Sequence, residues 1–329
     1  MDRKLLVLSR SDVAGLMDFG AYVEAVEAGL RASARGEALA PAASGFSVPN
    51  GSFHAKGAAL LGDAGDMVAI KLNGNFPGNP ATNGLPTVQG VIYLADASSG
   101  QPLALMDSIE VTINRTGAAT ALAARCLAPP HSRTAMICGA GVQGRIQLRA
   151  VAATVALERA LVWDLDLGKA EHYAQEMSVS LGLDVKAAKS LGAARDCDIV
   201  VTCSSARTAF LTRDLVRPGT FIAAVGADNH DKSEIAPSLY AACRVTVDSL
   251  EQAAKIGDLH HALASGEVRC DHVHASLAEL VTGAKAGRAA ATDITLFDST
   301  GMGLQDVAAA TAVYRRALAA GAGQRFSLA

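Results

Sequence analysis

A glycine-rich hexapeptide, Gly139-Ala140-Gly141-Val142-Gln143-Gly144, sits at the junction of two differently patterned segments. Before it runs Thr134-Ala135-Met136-Ile137-Cys138, short and apolar like a buried strand, and after it Val142 to Val155 reads as a helix. A G-x-G-x-x-G spacing at a strand-turn-helix corner leaves few folds open. Gly139 permits the tight turn, Gly141 lets a pyrophosphate approach the backbone, and Gly144 lets helix and sheet close together. The start of the helix adds free N–H groups and a partial positive charge. All six residues are therefore read as a dinucleotide cradle, the plain alternative being an ordinary strand-helix turn.

The surrounding pattern agrees. Strand-like runs at Ala160–Asp164, Asp184–Ala188, Asp198–Thr202, Thr220–Val225, Arg244–Val247 and Asp293–Phe297 follow Thr134–Cys138, and helical stretches separate the first four. Parallel strands need such crossovers, so this part is expected to be a doubly wound parallel sheet of the Rossmann type, an α/β fold. Upstream the character differs. Asp18 can cap a helix running to about Arg35; then Met67–Leu72 and Val88–Ala95 read as strands separated by the polar loop Asn73 to Pro80. A helix from Thr112 to Leu127 stops at Pro129-Pro130, read as the hinge, and a last helix spans Leu304 to about Ala319. The expected division is a β-rich substrate-binding and dimerisation domain of residues 1–125 plus 305–329, and a dinucleotide-binding domain of residues 126–304.

Composition closes off other classes. With 50% hydrophobic and 19% charged residues, the 329-residue chain can bury a core and is not expected to be disordered. Its net charge of -3 offers no basic face for nucleic acid, and no run approaches the ~20 bulky apolar residues that cross a bilayer. The apolar run at Leu5-Leu6-Val7-Leu8 is shorter than a signal-peptide core, so no export signal is expected. Six cysteines without a Cys-x-x-Cys pair fit a reducing cytoplasm rather than a disulfide framework. Cys270, His272 and His274 lack structural zinc spacing, as do His260 and His261, and no metal is expected.

Candidate chemistry lies at the strand ends. Asp164 stands twenty residues beyond Gly144, where a carboxylate can accept from the adenosine ribose hydroxyls and repel a 2′-phosphate; Asp166 is a nearby substitute. This favours NAD(H), with NADP(H) as the alternative. Lys71 ends an apolar strand, Arg115 lies near the start of a helix, and Asp228 follows Gly226-Ala227 beyond a strand's carboxyl end. Taken alone, each is as well explained as a solvated surface charge.

Together these stretches resemble the ornithine cyclodeaminase/mu-crystallin family over almost the whole chain. The resemblance is carried by Lys71-Leu72-Asn73 with Gly84-Leu85-Pro86-Thr87, Arg115-Thr116-Gly117-Ala118-Ala119, Gly139 to Gly144, Gly226-Ala227-Asp228, and Phe297-Asp298-Ser299-Thr300-Gly301 with Gln305-Asp306-Val307-Ala308. It implies that Arg115 and Lys71 bind the substrate carboxylate, that Lys71 also has a proton to deliver, and that Asp228 faces the substrate nitrogen. It also implies that Cys203-Ser204-Ser205 lies near the cofactor ribose and nicotinamide, Cys203 as a packing residue. Asp298 and Ser299 are either beside the cofactor or a strand end that caps the last helix. The resemblance further implies a homodimer built through the first domain.

The chain departs from the family where many members carry a basic residue, reading Ala40-Pro41-Ala42-Ala43-Ser44, and it has His54-Ala55-Lys56-Gly57 nearby. Lys56, with His54, is expected to supply the missing positive charge. His230 is either a second proton donor or a solvated loop histidine. The activity implied is NAD(P)H-dependent reduction of a small 2-imino acid, first Δ1-pyrroline-2-carboxylate to L-proline. Ornithine cyclodeaminase and then alanine dehydrogenase are the enzymatic alternatives, and a mu-crystallin-like ligand-binding protein is the non-enzymatic one. The reactive ring is expected to face a cleft between Lys71 and Asp228.

Overall fold

A computed structural model describes residues 4–40, 43–62 and 65–328, so Met1, Asp2, Arg3, Pro41, Ala42, Asp63, Ala64 and Ala329 lie outside the described residues. The strands in chain order are β1 (Lys4–Leu8), β2 (Ala38–Leu39), β3 (Ser44–Val48), β4 (Gly51–Leu60), β5 (Met67–Asn75), β6 (Val88–Asp96), β7 (Pro102–Asp107) and β8 (Thr134–Cys138). They continue with β9 (Arg159–Trp163), β10 (Asp184–Ala187), β11 (Ile199–Thr202), β12 (Phe221–Ala224), β13 (Arg244–Val247), β14 (Val273–Ser276), β15 (Thr295–Asp298) and β16 (Gln324–Ser327). The chain divides into two compact units, Met1–Ala118 with Met302–Ala329, and Ala119–Gly301.

The first unit is built on a sheet in the order β16-β1-β7-β6-β5-β4-β2, with β3 also on β4. The β4–β5–β6–β7 run is antiparallel, whereas β1 joins β7 in parallel. Along β5 the alternation typical of a sheet with one covered face is plain: Ala69 and Lys71 are buried while Ile70 and Leu72 are exposed. The helix Phe19–Ala34 starts at Asp18, whose carboxylate accepts from the Ala21 N–H at 2.8 Å. With the last helix, Gly303–Ala320, it belongs to the core of this unit through Tyr22, Val26, Leu30, Leu304 and Val307.

The second unit is a parallel sheet in the order β10-β9-β8-β11-β12-β15-β13-β14. Strand order reverses between β8 and β11, and ligands of such sheets bind beyond the carboxyl ends at that switch point. Short strands with every residue buried, such as Ile199–Thr202 and Phe221–Ala224, mark a sheet covered on both faces. No helix among the described residues is long and apolar enough to cross a membrane.

Three expectations change. The helix ending at Leu127 begins at Ser108, and the division between units falls inside it, not at Pro129-Pro130. Its last turn is already anchored in the second unit: the Leu127 carbonyl accepts from Arg288 Nη2 and Thr295 Oγ1, both at 2.8 Å. The prolines end the helix without separating anything. The Asn73-to-Pro80 loop is shorter than its turn residues imply, because ladder pairing on both sides carries β5 through Asn73-Gly74-Asn75. Between β10 and β11 the crossover is a 3-10 segment, Leu191–Asp196, instead of a full helix.

Candidate active site

Within the first unit, the ladder decides which charges meet. Lys56 on β4 lies directly opposite Lys71 on β5, and Ile92 on β6 lies opposite Lys71 from the other side. Directly opposed residues share a sheet face, so Lys56, His54, Lys71 and Asn73 project from the same face. Lys71 is 4% exposed and Arg115, from the helix Ser108–Leu127, is 5% exposed. A carboxylate joins them. Lys71 Nζ donates to Asp306 Oδ1 at 2.9 Å and lies 2.8 Å from Oδ2, and Arg115 Nε lies 2.9 Å from Oδ1, off the ideal hydrogen-bond direction. Gln305 Oε1 accepts from Arg115 Nη1 at 2.8 Å, and Ser108 Oγ donates to Asn73 Oδ1 at 2.6 Å.

Burial pushes the Lys71 ammonium down to about 7, with Arg115 and Lys56 acting in the same sense and Asp306 opposing them. Burial opposes ionisation of Asp306 too, yet Arg115 and Lys71 outweigh it and hold the carboxyl below its usual range. Lys56 is half-buried, while His54 is exposed and paired with Ser52 Oγ at 2.8 Å. Sequence reasoning placed Asp306 and Gln305 in a family stretch but gave them no role. Their signal is a Gln-Asp pair set between Leu304 and Val307 in a helix whose buried side is otherwise apolar but for Thr311.

Within the second unit, the hexapeptide forms the corner after β8. Gly139 has φ +120, a conformation that favours glycine, and a Cβ there would stand 2.9 Å from the Cys203 carbonyl oxygen across the switch point. A Cβ on Gly144 would collide with the Gly139 oxygen at 2.1 Å, so helix and turn are in contact, whereas one on Gly141 meets nothing within 4 Å. The helix Val142–Ala152 has no side-chain cap at Gly141. Open space before Gly141 and an uncapped helix start fit a diphosphate. Arg145, which sequence reasoning passed over, clamps the turn by donating Nη1 to the Ala140 and Gly141 carbonyls at 2.8 and 3.1 Å while pairing with Glu176.

Asp164 follows β9 directly and accepts from the Ala140 N–H at 2.9 Å and the Asp166 N–H at 3.0 Å. Asp166 caps the helix Leu167–Leu181. A cavity of about 420 Å³ opens beside them, lined by Ala140, Arg145, Asp166, Gly168, Lys169 and His172. Cys203 donates its thiol toward the Cys138 and Gly139 carbonyls, and burial raises its pKa well above the usual thiol value, as befits a packing residue. Ser205 is exposed.

Asp228 is exposed at the strand-to-loop position after β12, with Lys232 Nζ 2.7 Å from its Oδ1. His230 is exposed beside Asp231 on the same loop. Beneath this loop lies Glu234, also missed in the sequence. Its Oε1 accepts from the Ser204 N–H and hydroxyl, both at 2.6 Å, and its Oε2 accepts from the Gly226 N–H at 2.9 Å. One buried carboxylate thus ties the Cys203-Ser204-Ser205 segment to the loop of Asp228. Burial, with repulsion from Asp258, raises Glu234 to about 7.

Asp298 corrects one of the two expectations held for it, the cap on the last helix. It is fully buried, and its Oδ2 accepts from the Leu259 N–H at 2.8 Å and the Tyr240 hydroxyl at 3.2 Å. Its carboxylate holds the start of the helix Asp258–Ala264 and does not cap the last helix, whose N-cap is Met302, while its buried Oδ1 has no hydrogen-bond partner among the described residues. Ser299 is buried with an unpartnered Oγ, the kind of group a ligand can satisfy. No group of three histidine, cysteine or acidic side chains among the described residues could hold a metal.

Residues 3–321 match the model of the ornithine cyclodeaminase/mu-crystallin family. The chain belongs to that family. Among solved structures it is similar to a Thermococcus litoralis Δ1-pyrroline-2-carboxylate reductase in complex with NADH and L-proline, at 35% identity over 97% of this chain and 99% of that one, with a TM-score of 0.92. An archaeal alanine dehydrogenase dimer with bound NAD is 32% identical, over 99% and 100% of the two chains, with a TM-score of 0.94. The iminosuccinate reductase of Paracoccus denitrificans in complex with NAD+ is 31% identical, again over 99% and 100%, with a TM-score of 0.91.

Proposed function

We propose that this family member is an NAD(H)-dependent reductase of a small 2-imino acid, with Δ1-pyrroline-2-carboxylate to L-proline as the first reaction to test. The observation that carries the reading is the buried pairing of Lys71 with Arg115, two cations withdrawn from solvent beside a third, Lys56. Cations are almost never buried without an anion to meet, and one carboxylate, Asp306, does not match the two positive charges of Lys71 and Arg115. An incoming 2-imino carboxylate fits the remainder, bound through the planar donor fork of Arg115.

When bound, the dinucleotide supplies a hydride from nicotinamide C4 to the imine carbon. Asp228 faces the substrate nitrogen in this reading, stabilising the iminium charge that disappears on reduction, and Lys71 provides a proton. Glu234 orders the Ser204 and Asp228 loops together. Asp164 receives the adenosine ribose, which favours NAD(H); Lys169 and His172 in the adjoining cavity make NADPH the necessary control.

Support for a homodimer comes from the uncovered face of the first sheet, where Phe46, Ile70, Leu72 and Val91 are exposed together on β3, β5 and β6. A cytoplasmic location is supported by six cysteines scattered without a Cys-x-x-Cys pair.

The deciding assay follows NADH and NADPH absorbance with Δ1-pyrroline-2-carboxylate, its six-membered homologue, pyruvate plus ammonia, oxaloacetate plus ammonia, and ornithine. Stoichiometric NADH consumption with a cyclic imino acid supports the reading. Proline and ammonia formed from ornithine with only catalytic NAD+ would replace it with cyclodeamination, and tight NADH binding without turnover would make the chain a ligand-binding protein. Asp228→Asn is expected to lower turnover on the order of 10²-fold, the scale of a positioned proton-transfer group, with NADH affinity near normal.

A further inference from the structure

We propose that Asp306 is a positioning residue of this site, whose carboxylate fixes the Arg115 fork and keeps Lys71 as an ammonium until its proton is needed. The inference deepens the reading of the chain as a 2-imino acid reductase and rests on it.

Geometry makes the case. The Asp306 side chain is 1% exposed, and its two oxygens lie 2.8 to 2.9 Å from Lys71 Nζ and Arg115 Nε. The preceding residue, Gln305, takes Arg115 Nη1 at 2.8 Å. Adjacent side chains of one helix therefore face two edges of the guanidinium, Gln305 through a hydrogen bond and Asp306 through charge, and neither takes Nη2. A planar fork held in this way is oriented before the substrate arrives, which removes an ordering cost from binding.

The charge count explains why the anion is required. Lys71 meets Lys56 from β4, Ile92 from β6, Arg115 from the helix Ser108–Leu127, and Asp306 from the helix Gly303–Ala320. Burial and both neighbouring cations favour loss of the Lys71 proton, and Asp306 opposes them. A neutral lysine could not serve as an acid. In the reaction, the Lys71 N–H bond breaks as a substrate N–H bond forms, while the imine carbon takes the hydride and NADH becomes NAD+. Lys71 then recovers its proton from solvent. Asp306 contributes no atom to any of these bonds.

The test compares wild type, Asp306→Asn and Asp306→Glu by kcat and KM for imine reduction between pH 5 and 9, with NADH affinity measured separately. A rate that needs the ammonium is full below the Lys71 pKa and falls as pH rises through it. Removing the opposite charge should move that falling limb down by about one pH unit or more, and loosening the Arg115 fork should raise KM at every pH. Asp306→Glu should keep the limb nearer wild type. A kcat lowered equally at every pH, with the limb unmoved, overturns the proposal in favour of a merely structural role.

A ¹⁵Nζ titration of Lys71 by NMR, assigned with Lys71→Met, reads the same coupling without turnover. It separates the two claims: if no imino acid oxidises NADH the functional reading fails, while the titration still decides Asp306. A downward shift in Asp306→Asn supports the coupling, and an unshifted Lys71 ends it. Should Asp306→Asn fail to fold, Asp306→Glu carries the comparison, and loss of its turnover at every pH with an unchanged Lys71 titration overturns the proposal.

Discussion

Replacing Glu234 by glutamine changes a buried charge and almost nothing of shape. The carboxylate sits under three donors, Ser204 N–H, Ser204 hydroxyl and Gly226 N–H, which favour its ionised form. Burial is the larger influence and, with Asp258, lifts the group from its ordinary 4.5 to about 7. The folded chain therefore holds this proton more tightly than the unfolded chain does. The stability that Glu234 contributes is complete below about pH 4.5 and is lost as pH rises through about 7. Glutamine cannot titrate. Between pH 5 and pH 8 the stability of Glu234→Gln should gain on wild type by about 2 to 3 kcal/mol, from a shift of this size at 1.36 kcal/mol per pKa unit. The constant offset is separate: an amide nitrogen turned toward the Gly226 N–H leaves a buried donor unpaired, at a cost of about 1–3 kcal/mol at every pH. The assay is urea denaturation at a series of pH values, followed by the fluorescence of Trp163. That residue is the only tryptophan in the chain, and it lies on β9 in the same unit as Glu234, packed 5.6 Å from the Phe210 ring. A difference between the two proteins that stays constant from pH 5 to pH 8 would refute the reasoning, because it would mean that Glu234 titrates alike in the folded and unfolded chains.

Other expectations are simpler to check. Lys56→Met should raise KM for the imino acid by about tenfold, the value of one charge-assisted contact of roughly 1.5 kcal/mol, with kcat little changed; an unaltered KM in steady-state assays would remove Lys56 from the substrate's surroundings. Leu72→Lys puts a charge on the uncovered sheet face, 45% exposed at this position, and should yield a monomer in sedimentation experiments while the circular dichroism stays native. A dimer that survives it would place the interface elsewhere.

The hexapeptide and the parallel sheet behind it are legible in the chain because each depends on local pattern, whereas Lys71, Arg115 and Asp228 stand out only through the family resemblance. Strand edges fell within a residue or two wherever an apolar run was flanked by polar turns, as at Thr134–Cys138 and Arg244–Val247. Errors arose where pairing overrode composition. Asn73-Gly74-Asn75 has the residues of a loop, yet two neighbouring strands hold it as sheet. Pro129-Pro130 looks like a boundary, yet the helix before it is already fastened to the second unit.

Sequence by itself determined the family, the dinucleotide corner and the residue types available for chemistry, since these rest on short-range order: glycine where a turn needs it, and alternation where a sheet is half covered. Tertiary structure alone decided which anion each cation meets. Asp306 lies 235 positions from Lys71, and Glu234 lies 30 from Ser204. Nothing in a periodicity announces such a pair. Whether a buried charge becomes an acid, a strut or a binding group depends on the low-dielectric neighbourhood assembled around it, and that neighbourhood exists only once distant segments have packed together.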